Sequence, residues 1–360
     1  MYKIPEEILR LPYQEIADSP TEKYYTNWRI YDSRLALPDS KSLDSTDVSG
    51  AAVKGYCIID PALGGKPLCP GISIEPYSLD RPPLAERMAY YHYHRARNGA
   101  KIVIAGGKLA LLLRGGDAYK GYTLKLALEP DARAEVLLVD TSLQGGLKTA
   151  SIELDLMENS KLDITHLVVH GADAAVYETM KARLASGASL SYRAGGRPGL
   201  MSRVRFEVSL EGERAGLDGL LGYSASERRS GDIILNVTHQ APRTRSRIEG
   251  RGIARDLGRL VLRGVARVLR EAPGSSSHVD MHVIVVGDQA KGRSVPMLEI
   301  YTGDVEEASH SASAATVLED VLFYAATRGL SREELVTLME LGLFDTAGVA
   351  DTARMLGLRI

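Results

Sequence analysis

Six short pieces recur along the middle of this chain: ARAEVLL, NSKLDI, GASLSY, RAGLDG, RSRIEG and SSHVDM. Each carries a small residue two positions before an aliphatic one. The aliphatics are Val136, Leu162, Leu190, Leu217, Ile248 and Val279. The small residues are Ala134, Ser160, Ala188, Ala215, Ser246 and Ser277. The aliphatics are spaced 26, 28, 27, 31 and 31 residues apart, within the range of solenoid repeats. One such unit cannot cover its own apolar face, but a stack of coils buries a continuous column. A small residue at each corner lets the backbone turn without striking the coil beneath. The reading is a parallel β-solenoid; an antiparallel sheet protein with irregular spacings is the competing one.

Strict alternation supports strands. SIELDL puts Ile152, Leu154 and Leu156 on one face, VRFEVSL does so with Val204, Phe206, Val208 and Leu210, and IILNV with Ile233, Leu235 and Val237. The stretch GIARDLGRLVLRGVARVLREA is undecided. Arg251, Arg255, Arg259, Arg263 and Arg267 recur every four residues, as on a helix. Gly252, Gly258 and Gly264 would each weaken that helix by about 1 kcal/mol relative to Ala.

The expected organisation has three parts. Residues 1–97 are mixed helix and loop, with a helix over PPLAERMAYYHYHRAR at 82–97. Residues 98–305 form the solenoid. Residues 306–360 are helical: Thr316 with Glu319 and Ser331 with Glu334 have capping-box spacing, and Gly329 suits a helix C-terminus. Leu318, Val321, Leu322 and Ala325 share one face, as do Leu335, Leu338 and Met339. Two such helices are expected to close the open end of the stack.

Composition excludes several classes. Apolar residues make 44% and charged residues 25%, with a net charge of −2, so nothing draws the chain to nucleic acid or a membrane surface. No segment has the length of a membrane span and no signal peptide is evident, so a cytoplasmic location is expected. Four Asn and four Gln hint at a thermophilic source. Cys57 and Cys69 do not make a disulfide framework and read as structural thiols.

Motifs for chemistry are sparse. GDQAKGRS at 287–294 has Arg293 where a phosphate loop needs lysine, and a strand pattern follows it. His92 and His94 point in different directions on a helix. His166 and His170 share a strand face but lie about 13 Å apart by strand rise, too far for one ion. His239 keeps the inward parity of Val237 and reads as a hydrogen-bonded core residue. Arg243, Arg245 and Arg247 would form a basic stripe, most simply a solvated face. No serine-histidine-aspartate order or paired-carboxylate motif stands out. His310, in ASHSASAA, is an imidazole among small residues, open to a partner, to a metal or only to solvent.

Taken in order, HQAPRTRSRIEGRGIARDLGRLVLRGVARV, PMLEIYTGDVEEASHSASA and LFYAATRGLSREELVTLMELGLF resemble the SufB/SufD proteins, scaffold subunits of the SUF iron–sulfur cluster assembly machinery. The match runs from about residue 200 to 345. The resemblance implies a right-handed parallel β-helix flanked by N- and C-terminal helical regions, and it settles the arginine-rich stretch as strands. It implies pairing through the β-helix with a SufB-like paralogue or a second copy. It also implies binding of the ABC-type ATPase SufC through C-terminal helices, where Leu318, Leu322, Phe323, Tyr324 and Arg328 are the expected contacts. A nascent iron–sulfur cluster, shared with the partner, is the expected cargo, and a flavin is a further cofactor of the assembled complex.

His310 falls on the family's histidine near that interface and is the expected ligand to iron. Ala290 stands where a SufB-type cysteine would, and Ser311 where a SufB-type glutamate would. The chain is therefore identified as SufD-like or a divergent archaeal-type paralogue, a subunit without catalysis of its own. The alternatives are a β-helix lyase or hydrolase acting on polysaccharide, and a purely structural partner-binding solenoid. One Trp and three Phe provide few surfaces for stacking sugars.

Overall fold

The computed structural model describes residues 2–14, 25–44, 55–61, 69–316, 319–356 and 358. The first part holds α1 (Glu6–Arg10), α2 (Trp28–Asp32), β1 (Cys57–Ile59), β2 (Ile72–Ser78) and α3 (Arg87–Ala96). There follow β3 (Asn98–Ile104), β4 (Gly107–Arg114), β5 (Tyr119–Leu128), β6 (Arg133–Ser142), β7 (Leu147–Leu156), β8 (Lys161–His170), β9 (Ala175–Leu184) and β10 (Ser189–Arg197). Next come β11 (Met201–Leu210), β12 (Gly216–Ala225), β13 (Ser230–His239), β14 (Arg245–Arg255), β15 (Arg259–Val268), β16 (Ser275–Val286), β17 (Lys291–Ile300) and β18 (Val305–Thr316). Three helices end the chain: α4 (Glu319–Thr327), α5 (Arg332–Thr346) and α6 (Ala350–Met355).

The strands form two facing sheets. One runs β1-β4-β6-β8-β10-β12-β14-β16-β18 and the other β17-β15-β13-β11-β9-β7-β5-β3-β2. From β5 to β16 each strand pairs in parallel with the strands two before and two after it; β4 pairs in parallel with β1 and β6, and the antiparallel pair is β2 with β3. This is a parallel β-helix of about eight coils, as expected. The arginine-rich stretch forms β14 and β15, so its period of four is incidental.

One corner of each coil repeats a single device. Asp131, Asn159, Gly187, Arg214, Arg243 and Gly274 have φ between 56° and 68°. Each donates its N–H to the next coil: Asp131 to the Glu158 carbonyl at 2.9 Å, and so on to Gly274 and the Asp304 carbonyl at 2.9 Å. The left-handed conformation costs a non-glycine residue about 1 kcal/mol. The inter-coil hydrogen bond and the burial that follows it offset this. The next residue turns inward and is small: Ala132, Ser160, Ala188, Ala215, Thr244 and Ser275 are all buried.

The repeat therefore needs a correction. Ser160, Ala188 and Ala215 are corner residues, whereas Ala134, Ser246 and Ser277 lie two positions further on, inside strands. In register, Leu162, Leu190 and Leu217 stack with Ala134, Ser246 and Ser277. Val136, Ile248 and Val279 belong to the neighbouring column, with Ile164, Tyr192 and Gly219. A shift of two keeps every side chain on its face, so alternation alone cannot detect it.

The outer faces are covered by helices. On one, Tyr119, Leu147, Ala175, Tyr177 and Met201 pack against Ile8, Trp28, Tyr31, Met88 and Tyr91. On the other, Ala110, Leu112, Leu137, Val139, Leu167 and Ile253 pack against Val336, Leu343, Phe344, Val349 and Ala353. The C-terminal helices thus lie along the side of the stack and do not close its end. Glu340 fixes α5 there, accepting hydrogen bonds from Arg197 (3.2 Å), Ser224 and Arg255 (3.2 Å), on three successive strands. The buried face of α5 is Val336, Glu340, Leu343 and Phe344, with Met339 partly buried against the same cluster and Leu338 exposed; apolar residues nearly surround this helix, which hides its phase. The Ser331–Glu334 capping box is present. The Thr316–Glu319 box runs into residues outside those described. Cys57 and Cys69 form a disulfide, correcting their reading as thiols.

The N-terminal helices are also held electrostatically. Arg203 is fully buried, with Nη2 2.8 Å from Glu86 Oε1 and Nη1 2.7 Å from Asp232 Oδ2. Arg263 reaches Asp232 Oδ2 at 2.6 Å, and Thr26 Oγ1 donates to the same oxygen at 2.5 Å. Burial alone would raise the Asp232 carboxyl, but Arg263 and Arg203 outweigh it and hold the group below its ordinary value. Asp232→Ala is expected to cost about 3–5 kcal/mol, because the carboxylate that two buried guanidinium groups share is removed. Urea denaturation of the two proteins side by side measures it; a loss under about 1 kcal/mol would make the network dispensable.

Candidate functional site

The last coil, β17 and β18, ends the stack. Among the described residues β18 pairs only with β16 and β17 only with β15, so each keeps one edge that no described strand pairs. His310 lies opposite Val279, whose side chain, with Met281 and Val283, belongs to the inner core. By parity His310 thus occupies the inward column of Ile248 and Val279, yet it is exposed, because no further coil of the described residues covers it. Ala308, Ala312 and Ala314 share its face, so nothing bulky screens the imidazole. The sequence put His310 just before a helix; it stands on a strand that runs on to Thr316.

On the opposite, outer face of β16 and β18 is a polar cluster that the sequence reading missed. His278 Nδ1 is 2.6 Å from Ser309 Oγ, and His282 bonds Ser313. Asp280 Oδ1 is 2.5 Å from His282 Nε2 and accepts from Ser311, while Oδ2 accepts from Arg251 at 2.6 Å. Burial would raise the Asp280 carboxyl; hydrogen bonds from Ser311 and Arg251 and the Arg251 charge outweigh it and hold it at about 2. The signal was available in HVDMH, where His278, Asp280 and His282 alternate on a strand. Ser311 is engaged here and so faces away from His310.

Helix α4 packs on α5 and presents an apolar surface. Phe323 is 73% exposed and Tyr324 61%, with Val321 and Arg328 also exposed and Leu322 half-buried. Leu318 lies outside the described residues. Of the expected contacts, the structure brings Phe323, Tyr324 and Arg328 to one exposed helix. It does not bring them onto the same element as His310.

The remaining candidates are structural. His92 bonds Thr149 and Thr123 at 2.8 and 2.9 Å, and His239 bonds Thr244 and Ser246, both at 2.8 Å. Arg243, Arg245 and Arg247 are exposed and paired with Glu213, Glu306 and Glu249. Gly287–Ser294 leads directly into β17, with no helix to cradle a phosphate. His166 and His170, in contrast to their expected separation, both approach Asp140 inside the coil stack.

Residues 117–342 match the domain described as "SUF system FeS cluster assembly, SufBD core domain". The chain belongs to the SufBD family. That span begins just before β5 and ends in α5, so it contains both His310 and α4. A Staphylococcus saprophyticus protein described as an iron–sulfur cluster assembly SufBD family protein is 28% identical over 114 residues, 32% of this chain and 24% of the relative. One from Mycobacterium tuberculosis, described likewise, is 27% identical over 199 residues, 55% of this chain and 23% of the relative. The alignments span about a quarter of these relatives' length. Among the described residues no helix is long and apolar enough to cross a membrane.

The buried histidines of this SufBD chain set an acid limit. Burial lowers His92 to about 3 and His239 to about 4. Both folded values lie below the unfolded value of about 6.5. Their contribution is therefore present above pH ~6.5 and lost as pH falls toward the folded values. The urea midpoint is expected to fall steadily from pH 7 to pH 4.5; a flat midpoint across that window would contradict the neutral assignment.

Proposed function

We propose that this chain is a non-catalytic, SufD-like subunit of an iron–sulfur cluster assembly complex. It pairs through its last coil with a SufB-like paralogue or a second copy, and α4 is the docking surface for a SufC-like ATPase. The observation that carries the reading is the uncovered terminal coil, with His310 exposed at the head of an otherwise apolar column. Two unpaired strand edges beside it are a template for another chain. The phosphate loop absent from Gly287–Ser294 belongs, on this reading, to the ATPase.

The ligand chemistry supports an accessory role. Iron–sulfur clusters are held mainly by cysteine thiolates. This chain has two cysteines, both in the disulfide, and Cys57 lies on β1 at the other end of the sheet from β18. His310 can offer a neutral imidazole to iron, while thiolates for the cargo cluster come from the partner. A carbohydrate enzyme is less well supported: Trp28, Phe206 and Phe344 are buried, leaving Phe323 as the exposed phenylalanine.

Two experiments separate the parts. His310→Ala in the purified complex is expected to leave folding and ATPase binding intact and to lower iron and sulfide content by about tenfold. A wild-type yield would remove the role. Phe323→Asp should weaken co-purification with the ATPase by about 30-fold, the effect of an aromatic anchor worth about 2 kcal/mol. Unchanged co-purification would exclude α4 as the docking helix.

A further inference from the structure

A second constellation lies inside the stack, five coils from His310, or about 24 Å by strand spacing. Asp140 on β6, His166 on β8 and Glu178 on β9 are fully buried, and each points a ligand atom into one space, all within 4.8 Å of one another. His166 Nε2 is 3.8 Å from Asp140 Oδ2 and 3.8 Å from Glu178 Oε1. These distances are too long for hydrogen bonds. They are close to the edge of a metal tetrahedron, about 3.4 Å for bonds of about 2.1 Å.

Among the described residues, both Glu178 oxygens and His166 Nε2 have no hydrogen-bond partner. Buried carboxylates without donors are rare, so these atoms point to something that binds them. The surrounding groups fit a metal. Tyr192 Oη lies 2.9 Å from His166 Nδ1 and 3.9 Å from Met180 Sδ, which it can reach as donor. Tyr192 then accepts from Nδ1–H, leaving the Nε2 lone pair facing the carboxylates. Second, Gly199 N–H donates to Ser202 Oγ at 2.8 Å; Ser202 is 2.8 Å from His170 Nδ1, and His170 Nε2 is 3.1 Å from Asp140 Oδ2. That chain orients the Asp140 carboxylate in the way outer groups orient metal ligands.

Asp140 and Glu178 share this space with a buried lysine, and Lys148 Nζ pairs with Asp140 Oδ1. Lys148 also donates to the carbonyls of Thr141 (3.0 Å) and Leu113 (3.3 Å), so it keeps acceptors when Asp140 turns to a cation.

We propose that Asp140, His166 and Glu178 form a luminal site for a first-row divalent cation, Mn2+ to Zn2+. Two carboxylates and one imidazole, without thiolate, suit that class and do not suit an iron–sulfur cluster. The ion crosslinks two adjacent coils from within, joining β6 to β8 and β9. The site is independent of the assembly role proposed above.

The test uses the full chain, free of any affinity tag, produced in medium supplemented with Zn2+ or with Mn2+. It is dialysed against chelator and assayed by elemental mass spectrometry. Wild type is expected to retain about one equivalent of one ion, and isosteric Glu178→Gln less than about 0.1. His310→Ala should retain it fully. X-ray absorption of the wild-type ion should show nitrogen and oxygen neighbours including imidazole, and no sulfur, a readout that stands even if the variant does not fold. Wild type holding less than about 0.1 equivalent in both media overturns the proposal. So does an ion that survives Glu178→Gln but leaves with His310→Ala, or one bound through sulfur.

Discussion

Everything in this molecule depends on the transfer of a backbone hydrogen bond from one coil to the next at a left-handed corner. That bond fixes the rise between coils and hence the parallel register of both sheets. The register then decides which side chains stack. The column of Val136, Ile248 and Val279 is apolar, and that of Leu162, Leu190 and Leu217 holds only leucines and small residues, because each layer must exclude water from the layer below. A corner residue with a large side chain after the turn would push the next coil away. This is why Ala132, Ser160, Ala188, Ala215, Thr244 and Ser275 are small, although their neighbours vary freely.

A stack built this way leaves two outer faces and two ends to manage. The faces are covered by this chain's own helices, one set clamped through Arg203, Glu86 and Asp232, the other through Glu340. No further coil of the described residues covers the last one. Its inward column closes on His310 where another apolar residue would continue the pattern, and no described strand pairs its outer edges. An end finished with a ligand-type side chain and small neighbours suits a junction with another chain. On the proposed reading, the bare coil and α4 would be the two working surfaces, and α4 packs on α5, which lies against the sheet.

Much of this was legible in the residues. Alternation in SIELDL, VRFEVSL and IILNV named the inward face correctly, and the spacing of small–aliphatic pairs indicated a stack. The offset of two between Val136 and Leu162 was not legible, since period two fixes a face and not a position along it. The α5 phase was hidden because Leu335, Val336, Leu338, Met339, Leu341, Leu343 and Phe344 leave almost no polar side. His310 stood out by its composition. The Asp140, His166 and Glu178 group did not, because it joins three strands whose meeting depends on a register that sequence separation conceals. His166 and His170 were judged by their separation along one strand; Asp140, from the preceding coil, approaches both.

The measurement that tests the central claim is hydrogen exchange of the chain alone and in complex with its SufB-like partner or its second copy. The account predicts that amides of residues 291–316, on β17 and β18, gain protection on assembly, while β1 and β4 at the other end do not. Unchanged exchange across 291–316, with protection gained at the β1 end or on the outer faces, would contradict it.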